Sequence, residues 1–326
     1  MIDLTLKSAA NWLEEGRDIA LATVVQTWGS APQPVGSQLV IDSDGTFLGS
    51  VSGGCVEGAV ITEAQDVIET GKPKLMKFGV ADEKAWELGL ACGGKISVFV
   101  ESIDEVKAGL LKEIVKAQRN RVAVALITDL VSGDARLVPA HDSGSDRLAS
   151  ELVRSFRFDK SGVVGDEGST FINVFNPALK LVVIGAVHIA QGLVPIAQLT
   201  GYDVTVIDPR GAFASEARFE NVQLFSEWPD EVLDGFDLDA RTAFVALTHD
   251  PKIDDSALQI ALASECFYIG ALGSKRTHAA RLERLKGAEN LARIDGPIGI
   301  DIGARGAPEI AISILAKMIS ILRQGN

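Results

Sequence analysis

At 326 residues the chain is long enough for two ordinary domains, and its 47% hydrophobic and 23% charged residues are typical of a protein with a packed core. Its formal net charge of −13 argues against a nucleic-acid or membrane partner, because a field of that sign repels phosphate groups. Three cysteines without a CxxC pair do not form a disulfide framework, and no apolar run is long enough to span a membrane. We therefore expect a cytoplasmic protein.

The first half of the chain mixes helical and strand periodicity. Its predicted elements are a helix over 3–15, strands over 19–26, 38–42 and 46–51, a helix over 55–70, a strand over 74–80, a short helix or turn over 82–88, a strand over 95–101, a helix over 104–119 and a strand over 122–128. The first hundred residues are expected to form a self-contained α+β unit. Short strands over 135–138 and 170–174 then flank a helix near 147–156.

Pro177 marks the predicted domain boundary, with an α+β domain over 1–176 and a second domain over 177–326. Beyond it the pattern changes to alternating strands and helices. Strands are predicted over 181–184, 203–207, 243–247, 266–269 and 298–300, and helices over 186–200, 255–263 and 308–322. Near-continuous apolar strands that alternate with helices predict a parallel sheet covered on both faces. The predicted fold class is therefore α/β, with an N-terminal α+β domain followed by a Rossmann-like doubly wound domain.

Two cysteines flanked by paired glycines stand at junctions between predicted elements. Their motifs are Gly53-Gly54-Cys55 and Cys92-Gly93-Gly94. We place Cys55 in the first turn of the helix over 55–70, where unpaired N–H groups and the positive end of the helix dipole favour an anion. The two motifs suggest one pocket for a ligand that is anionic, soft or both. The alternative is that both thiols are small buried hydrophobes and the glycines serve tight turns.

A partial dinucleotide motif opens the second domain. Gly185 follows a strand and Asp208 ends the next one, the places where a Rossmann unit holds a pyrophosphate and a ribose hydroxyl. Val187 stands where the second glycine of that motif should allow close approach of the backbone to the pyrophosphate. The sequence therefore favours the fold over the dinucleotide, and a domain used for packing or for another ligand has equal weight.

Further polar residues follow the predicted strands of this domain at the ends where open α/β sheets bind ligands. The candidates for this pocket rim are His188, Arg210, His249, Asp250, Gly273, Ser274, Lys275 and Arg276. Its arginines and lysine would supply the local positive charge that the acidic chain lacks. A zinc site built from the cysteines and histidines lacks metal-ligand spacing, so no metal site is predicted.

Together these motifs resemble the XdhC/CoxI family, accessory proteins that handle molybdenum cofactor for xanthine dehydrogenase and related molybdenum hydroxylases. The matching stretches are Gly29-Ser30-Ala31-Pro32, residues 49–57, residues 89–94, Gly185 with His188-Ile189-Ala190, Asp208-Pro209-Arg210, Thr248-His249-Asp250, Gly270 with Gly273-Ser274-Lys275-Arg276, and Ile302-Gly303-Ala304 with Glu309-Ile310-Ala311. The two cysteine motifs are the specific part of this resemblance.

The resemblance implies a chaperone that binds molybdenum cofactor (molybdopterin) at Cys55 and Cys92, keeps it during sulfuration and delivers it to a xanthine dehydrogenase-type apoenzyme. A cysteine desulfurase and a homodimer are further partners that it implies. Glu57 would accept hydrogen bonds from the pterin or act as a partner of the helix dipole, and we favour the second role.

Two alternatives stay open at this point. In one, the chain is an NAD(P)-dependent oxidoreductase that uses its C-terminal domain to bind a nucleotide, with the cysteine domain as a substrate lid. The retained Asp208 supports this alternative, whereas Val187 and the lack of a clear acid/base set oppose it. In the other, the chain is a scaffold that only bridges partners, which would leave both glycine-cysteine loops without a role.

Overall fold

A computed structural model describes residues 4–29, 31, 33–79, 94–165 and 168–324 of the chain. The chain divides into two compact units, Met1–Pro177 and Ala178–Asn326. The first unit combines helices with antiparallel sheets, and the second is a parallel α/β unit, which confirms the predicted fold class. None of the helices in these described ranges is long and apolar enough to cross a membrane.

A five-stranded antiparallel sheet forms the centre of the first unit, in the order β3-β2-β1-β5-β4. Its strands are β1 (Ile19–Trp28), β2 (Gln38–Asp42), β3 (Phe47–Gly49), β4 (Lys74–Phe78) and β5 (Lys95–Ser102). Helix α2 (Glu57–Thr70) covers one face, and its buried Val60, Ala64 and Val67 recur at the helical spacing that the sequence showed. Helices α1 (Leu4–Glu14) and α3 (Glu105–Arg119) supply the apolar side chains on the other face.

A second antiparallel sheet completes this unit, in the order β7-β6-β9-β8. Its elements are β6 (Val124–Asp129), β7 (Ala135–Pro139), a 3₁₀ turn (Ala140–Ser145), α4 (Ala149–Phe158), β8 (Gly162–Val164) and β9 (Thr170–Phe175). One core cluster contains Leu6 and Val40 together with Leu126 and Phe175. The prediction that the first hundred residues form a self-contained unit is therefore wrong, because their apolar residues share a core with later strands.

The second unit is built on a six-stranded parallel sheet in the order β12-β11-β10-β13-β14-β15. Its strands are β10 (Leu179–Ile184), β11 (Tyr202–Ile207), β12 (Gln223–Phe225), β13 (Thr242–Ala246), β14 (Tyr268–Ala271) and β15 (Ile294–Asp295). This strand order is that of a Rossmann fold, and the point where the order reverses lies between the parallel strands β10 and β13. Leu181 and Val183 face one core cluster, and Val182 and Ile184 face another, so the sheet is covered on both sides as predicted.

Five helices accompany this sheet within the described ranges. They are α5 (His188–Leu199), α6 (Pro229–Leu233), α7 (Pro251–Ala263), α8 (Lys275–Arg284) and α9 (Ala307–Gln324). The predicted strand over 298–300 is not formed, and the last strand of the sheet is β15 instead. Ile298 packs into the core against Gly270, and Gly299 has a φ of +92°, a conformation that does not belong to a strand. Burial of an isolated isoleucine therefore produced the apolar signal.

Candidate functional site

The loop over residues 50–57, called the thiol loop below, is organised by the carboxylate of Glu57. Oε1 of Glu57 accepts hydrogen bonds from Ser50 Oγ at 2.8 Å, Val51 N at 3.2 Å and Ser52 N at 2.9 Å. Oε2 accepts from Gly54 N at 2.8 Å and from Ser52 Oγ. Five donors of a single loop thus converge on one side chain that is 8% exposed.

These hydrogen bonds explain the acidity of Glu57. Burial by itself would raise the pKa of the carboxyl, but the bonds from the side chain and backbone of Ser52 and from the side chain of Ser50 outweigh it and lower the pKa to about 2. Glu57 is therefore ionised at neutral pH. As the first residue of α2, it places its negative charge at the positive end of the helix dipole, the role that the sequence favours.

Cys55 lies in the thiol loop, so the prediction that places it in the first helical turn is wrong. Helix α2 begins at Glu57, and Val56 is the residue before its first turn. Gly53 and Gly54 have φ angles of +77° and +118°, which delay the start of the helix and turn the chain around the Glu57 carboxylate. The positive helix end is thus occupied by the chain's own carboxylate, and the amides of Ser52 and Gly54 donate to it rather than to an external anion.

The Cys55 side chain is half-buried and packs in part against the core beneath α2. Cys266, in contrast, is 3% exposed and belongs to the core of the second unit. Of the second cysteine motif, Cys92 and Gly93 lie outside the described residues, whereas Gly94 is buried immediately before β5. The expected common pocket of Cys55 and Cys92 therefore stays a prediction.

In the second unit, Asp208 lies at the carboxyl end of β11 and is completely buried. Its Oδ2 accepts from Ala186 N at 2.8 Å and from Arg210 Nη2 at 2.7 Å. Its Oδ1 accepts from Arg210 N at 3.0 Å and Nε at 2.8 Å. Burial would raise the pKa of Asp208, but the Arg210 side chain, with the backbone N–H groups, lowers it.

This arrangement joins the two groups that a Rossmann unit normally offers to a dinucleotide. The carboxylate expected to bind a ribose hydroxyl accepts instead from Ala186 N, in the loop expected to face the pyrophosphate. Val187 precedes α5 and packs against the core. Gly185 has a φ of +105°, and a Cβ atom there would lie 2.6 Å from Thr248 Cγ2. The glycine thus permits contact between two loops of the sheet, and Asp208 no longer favours a nucleotide.

A second buried carboxylate, Asp254 in α7, holds the loop that carries His249. Thr248 Oγ1 donates to Asp254 Oδ1 at 2.6 Å, and His249 N donates to Oδ2 at 3.1 Å. His249 is exposed and has a φ of +63°, a left-handed conformation that these bonds support. Asp250 caps α7 by accepting from Lys252 N at 3.0 Å, so its carboxylate already has a structural partner.

The predicted Gly273–Arg276 rim forms the start of α8, a helix that the sequence analysis does not predict. Ser274 caps it by accepting from Thr277 N at 3.1 Å, while Lys275 and Arg276 are exposed. His188 is likewise exposed at the first position of α5. Arg210 is partly exposed and lies over the ring of Phe213 at 4.4 Å. Positive side chains are therefore exposed or partly exposed in the segments that follow β11 and β14.

Sequence reasoning also missed Arg281, which is 1% exposed. Its Nη2 donates to the carbonyl of Leu272 at 2.7 Å and lies 4.0 Å from Asp254 Oδ2. Burial lowers the pKa of Arg281 and raises that of Asp254. The pair connects the loops after β13 and β14. No periodic apolar signal marked this position, because α8 is polar along most of its length. Within the described ranges no group of three or more His, Cys, Asp or Glu side chains could hold a metal ion.

Known proteins are similar to this chain over nearly its whole length. Residues 12–79 match the model of the XdhC and CoxI family, and residues 181–318 match that of the XdhC Rossmann domain. The molybdenum cofactor insertion chaperone PaoD of Escherichia coli (strain K12) is 29% identical over 321 residues, which cover 97% of this chain and 87% of PaoD.

Two further relatives are similar to this chain over nearly its whole length. A probable xanthine dehydrogenase subunit of Bacillus subtilis (strain 168) is 27% identical over 317 residues, with 94% of each chain covered. A crystal structure from Bacillus halodurans, described as a xanthine dehydrogenase, superposes with a TM-score of 0.74 at 25% identity and covers 99% of this chain and 96% of its own. The thiol loop lies within the first family match, and the loop over residues 208–210, called the Asp208 loop below, lies within the second. The chain belongs to the XdhC/CoxI family.

Proposed function

We propose that this protein binds molybdenum cofactor as its cargo and inserts it into an apoenzyme of the xanthine dehydrogenase type. The cargo is held while its terminal sulfur is installed, with a cysteine desulfurase as the class of enzyme that supplies the sulfur. Similarity to PaoD, a molybdenum cofactor insertion chaperone, supports the insertion step. The sulfuration step rests on family resemblance and on the chemistry of the cysteines.

The observation that carries this proposal is the thiol loop. A buried carboxylate with five donors fixes the loop, and the half-buried Cys55 follows immediately after two glycines with positive φ angles. A dithiolene-bound metal is a soft partner, and thiolates are the side-chain ligands that suit such metals. A preorganised loop also lowers the entropic cost of binding, because its residues are ordered before the cargo arrives.

Within the first unit, the residues proposed to contact cargo differ in one respect from the set expected from sequence. Gly53, Gly54 and Cys55 stay in it, with Cys92, Gly93 and Gly94 as the second motif. Glu57 leaves it, since both of its oxygens already accept bonds from the loop. In this proposal Glu57 positions the thiol and makes no contact with the pterin.

The second unit, considered by itself, presents positive charge that would suit an anionic group. Arg210, Lys275 and Arg276 have exposed or partly exposed side chains at the ends of its parallel strands, and His188 and His249 are exposed beside the same loops. The cargo carries a phosphate, and charged donors of this kind bind phosphate oxygens strongly. Asp208, Asp250 and Ser274 act in this proposal through the loops that they cap or hold, and Gly185 and Gly273 through close packing.

The test is to mix the purified protein with molybdenum cofactor released from a denatured hydroxylase and to separate free ligand by gel filtration. Molybdenum and oxidised-pterin fluorescence should elute together with the protein. Cys55→Ala should lower the retained amount of molybdenum and pterin by about tenfold or more, because loss of even an outer-shell partner lowers the affinity of a metal site by such a factor. Cys266→Ala is the matched control, since it removes a thiol that is 3% exposed.

A second readout is activation of the apo-hydroxylase by the loaded protein. If the wild type retains neither molybdenum nor pterin, or if the Cys55 variant binds and activates as the wild type does, the proposal is wrong. Saturable binding of a nicotinamide nucleotide in place of the cargo would instead support the oxidoreductase alternative. Asp208 argues against that outcome, because both of its oxygens are occupied within the chain.

A further inference from the structure

The first turn of α8 presents hydrogen-bond donors that have no acceptor in the described parts of the chain. Ser274 caps the helix, and the backbone N–H groups of Lys275 and Arg276 follow it. His278 N, in contrast, already donates to the Ser274 carbonyl at 2.8 Å. The side chains of Lys275 and Arg276 are exposed. Two unpaired amides and two cationic side chains therefore lie at one helix end, where an anion is favoured.

The hydroxyls of Ser274 and Thr277 add one more donor. Ser274 Oγ lies 3.0 Å from Thr277 Oγ1, and either oxygen can donate to the other. Ser274 Oγ also accepts from Thr277 N at 3.1 Å. Two hydroxyls have two protons, and the contact between them uses one. The other proton is available to an acceptor outside the described residues.

A buried positive charge lies against the same turn. Arg281 is 1% exposed and follows Thr277 by four residues, so the two side chains share one face of α8 and point towards its N-terminus. Arg281 Nη2 donates to the Leu272 carbonyl at 2.7 Å, and a Cβ atom on Gly273 would lie 3.8 Å from the same nitrogen. The guanidinium therefore reaches the backbone that leads into Ser274.

This charge is incompletely compensated. Nε and Nη1 of Arg281 are buried and have no hydrogen-bond partner among the residues that the structure describes. Asp254 Oδ2 lies 4.0 Å from Nη2, but Asp254 also accepts from Thr248 and His249, and burial raises its pKa. Burial and the charge of Arg281 lower the pKa of His278 in the same helix. A buried cation without full pairing is costly, so it would stabilise an anion bound at the adjacent helix end.

We propose that the N-terminus of α8 binds a phosphate group, at a position called the α8 phosphate site below. The amides and side chains of Lys275 and Arg276 donate to the phosphate oxygens. The remaining hydroxyl proton of Ser274 or Thr277 adds a donor, and the Arg281 charge stabilises the anion without direct contact. Phosphate suits these donors better than a carboxylate, because a phosphate ester has one more acceptor oxygen and a charge of about −2.

The α8 phosphate site is separate from the closed dinucleotide motif. It follows β14, and the strands β10 and β13 lie between β14 and β11, the strand that precedes Asp208. The carboxyl ends of such strands are where open α/β sheets bind ligands. Free inorganic phosphate and the phosphate ester of the cargo both have the required chemistry. The second source rests on the proposed function, so the two sources are tested separately.

Calorimetric titration of the full chain with inorganic phosphate, at constant ionic strength, tests the site. Ser274→Asp and Ser274→Asn both keep a good N-cap residue and differ mainly in charge. We expect Ser274→Asp to bind phosphate about tenfold or more weakly than Ser274→Asn, because its carboxylate places a like charge at the site. Arg281→Met should weaken binding by about tenfold relative to the wild type, because it removes the buried charge.

Lys275→Ala and Lys252→Ala form a matched pair. Both lysines are exposed in the first turn of a helix of the second unit, but α7 is capped by the carboxylate of Asp250. Lys275→Ala should weaken phosphate binding by about threefold, as is usual for an exposed charge, and Lys252→Ala should leave it unchanged.

The second source is tested by gel filtration with molybdenum cofactor, before and after removal of its phosphate by a phosphatase. Dephosphorylation should lower the amount that the wild type retains by about tenfold, and it should have little effect on Ser274→Asp. A wild type that binds inorganic phosphate but retains neither form of the cargo would assign the site to free phosphate and contradict the proposed function.

Two results would overturn the α8 phosphate site. One is a wild type that shows no saturable phosphate binding and retains the cargo equally with and without its phosphate, which would leave the proposed function standing. The other is equal phosphate affinity of Ser274→Asp and Ser274→Asn. Circular dichroism checks that each variant stays folded, and the two Ser274 variants decide the matter if Arg281→Met unfolds.

Discussion

The thiol loop of the first unit and the Asp208 loop of the second are each held by a buried carboxylate. In each, both oxygens of the buried carboxylate accept hydrogen bonds from the chain: Glu57 from its own loop, and Asp208 from Ala186 and Arg210. Glu57 receives five such bonds and Asp208 receives four. The two carboxylates are 8% and 0% exposed, so neither is presented to a ligand.

The two saturated carboxylates have different consequences. In the first unit, saturation of Glu57 fixes a loop that leaves the neighbouring thiol half-buried and near the surface. In the second, saturation of Asp208 removes the acceptor that a ribose would need and occupies Ala186 N as well. The same saturation thus fixes a loop beside a thiol in the first unit and occupies the candidate ribose acceptor in the second.

The largest effect is expected from Glu57→Ala. It leaves several loop donors without their acceptor, and loss of a buried, hydrogen-bonded charge should lower the free energy of unfolding of the first unit by about 4 kcal/mol. Hydrogen exchange in increasing urea, followed at peptides from α2, measures this. Glu69→Ala alters an exposed residue of the same helix and should change stability by less than about 0.5 kcal/mol. Equal effects of the two variants would contradict the assigned role.

Acid should weaken the same loop. The pKa of Glu57 is about 2 in the folded chain against an ordinary value of 4.5, so its contribution is complete above pH 4.5 and is lost as pH falls towards 2. The linked free energy is about 3 kcal/mol. Stability of the first unit measured from pH 6 to about pH 2 should therefore fall more steeply for the wild type than for Glu57→Gln, which has no proton to gain there. Parallel curves would show that the carboxylate is not held ionised.

Asp208→Asn should have a smaller effect. Its amide cannot accept from Arg210 and Ala186 at both atoms, and we expect a loss of about 2 kcal/mol in the second unit with faster hydrogen exchange at the Ala186 amide. Asp234→Asn, at an exposed position after α6, is the control. An unchanged exchange rate at Ala186 would mean that the bond between the two loops contributes nothing.

The smallest effect is expected from a change at Val187. Val187→Gly restores the glycine of the dinucleotide motif, yet Asp208 and Ala186 N still bind each other. We expect no saturable binding of NAD(H) or NADP(H) below about 1 mM by calorimetry. Micromolar binding by this variant would show that the valine alone, and not the saturated carboxylate, excludes the nucleotide.

The sequence predicted the second unit better than the first. The strands around Leu181–Ile184 and Ala243–Ala246 were apolar almost throughout, as strands buried on two faces must be, and the parallel sheet followed from their alternation with helices. The antiparallel strands of the first unit gave shorter signals, and their core includes side chains more than a hundred residues apart, such as Leu6 and Phe175. Periodicity shows which face of a single helix or strand is apolar. It carries no information about which elements, distant in sequence, pack those faces together.

The candidate site was harder to predict for a related reason. The motif containing Cys55 identified an unusual loop, but its conformation depends on backbone N–H groups that donate to the side chains of Ser50, Ser52 and Glu57, which no propensity describes. Helical spacing placed the helix start at Cys55, two residues early. Arg281 was missed because a long basic side chain in a polar helix is usually solvated, and only the fold shows that it reaches the Leu272 carbonyl.

The bond between Asp208 and Ala186 N also bears on selectivity. A ligand is chosen by the difference between its affinity and those of its competitors, and a competitor can be rejected simply because the groups it needs are already taken. Here the chain supplies its own occupant for the two contacts that define a dinucleotide site. We therefore expect discrimination against such molecules to be established when the second unit folds, before any ligand arrives.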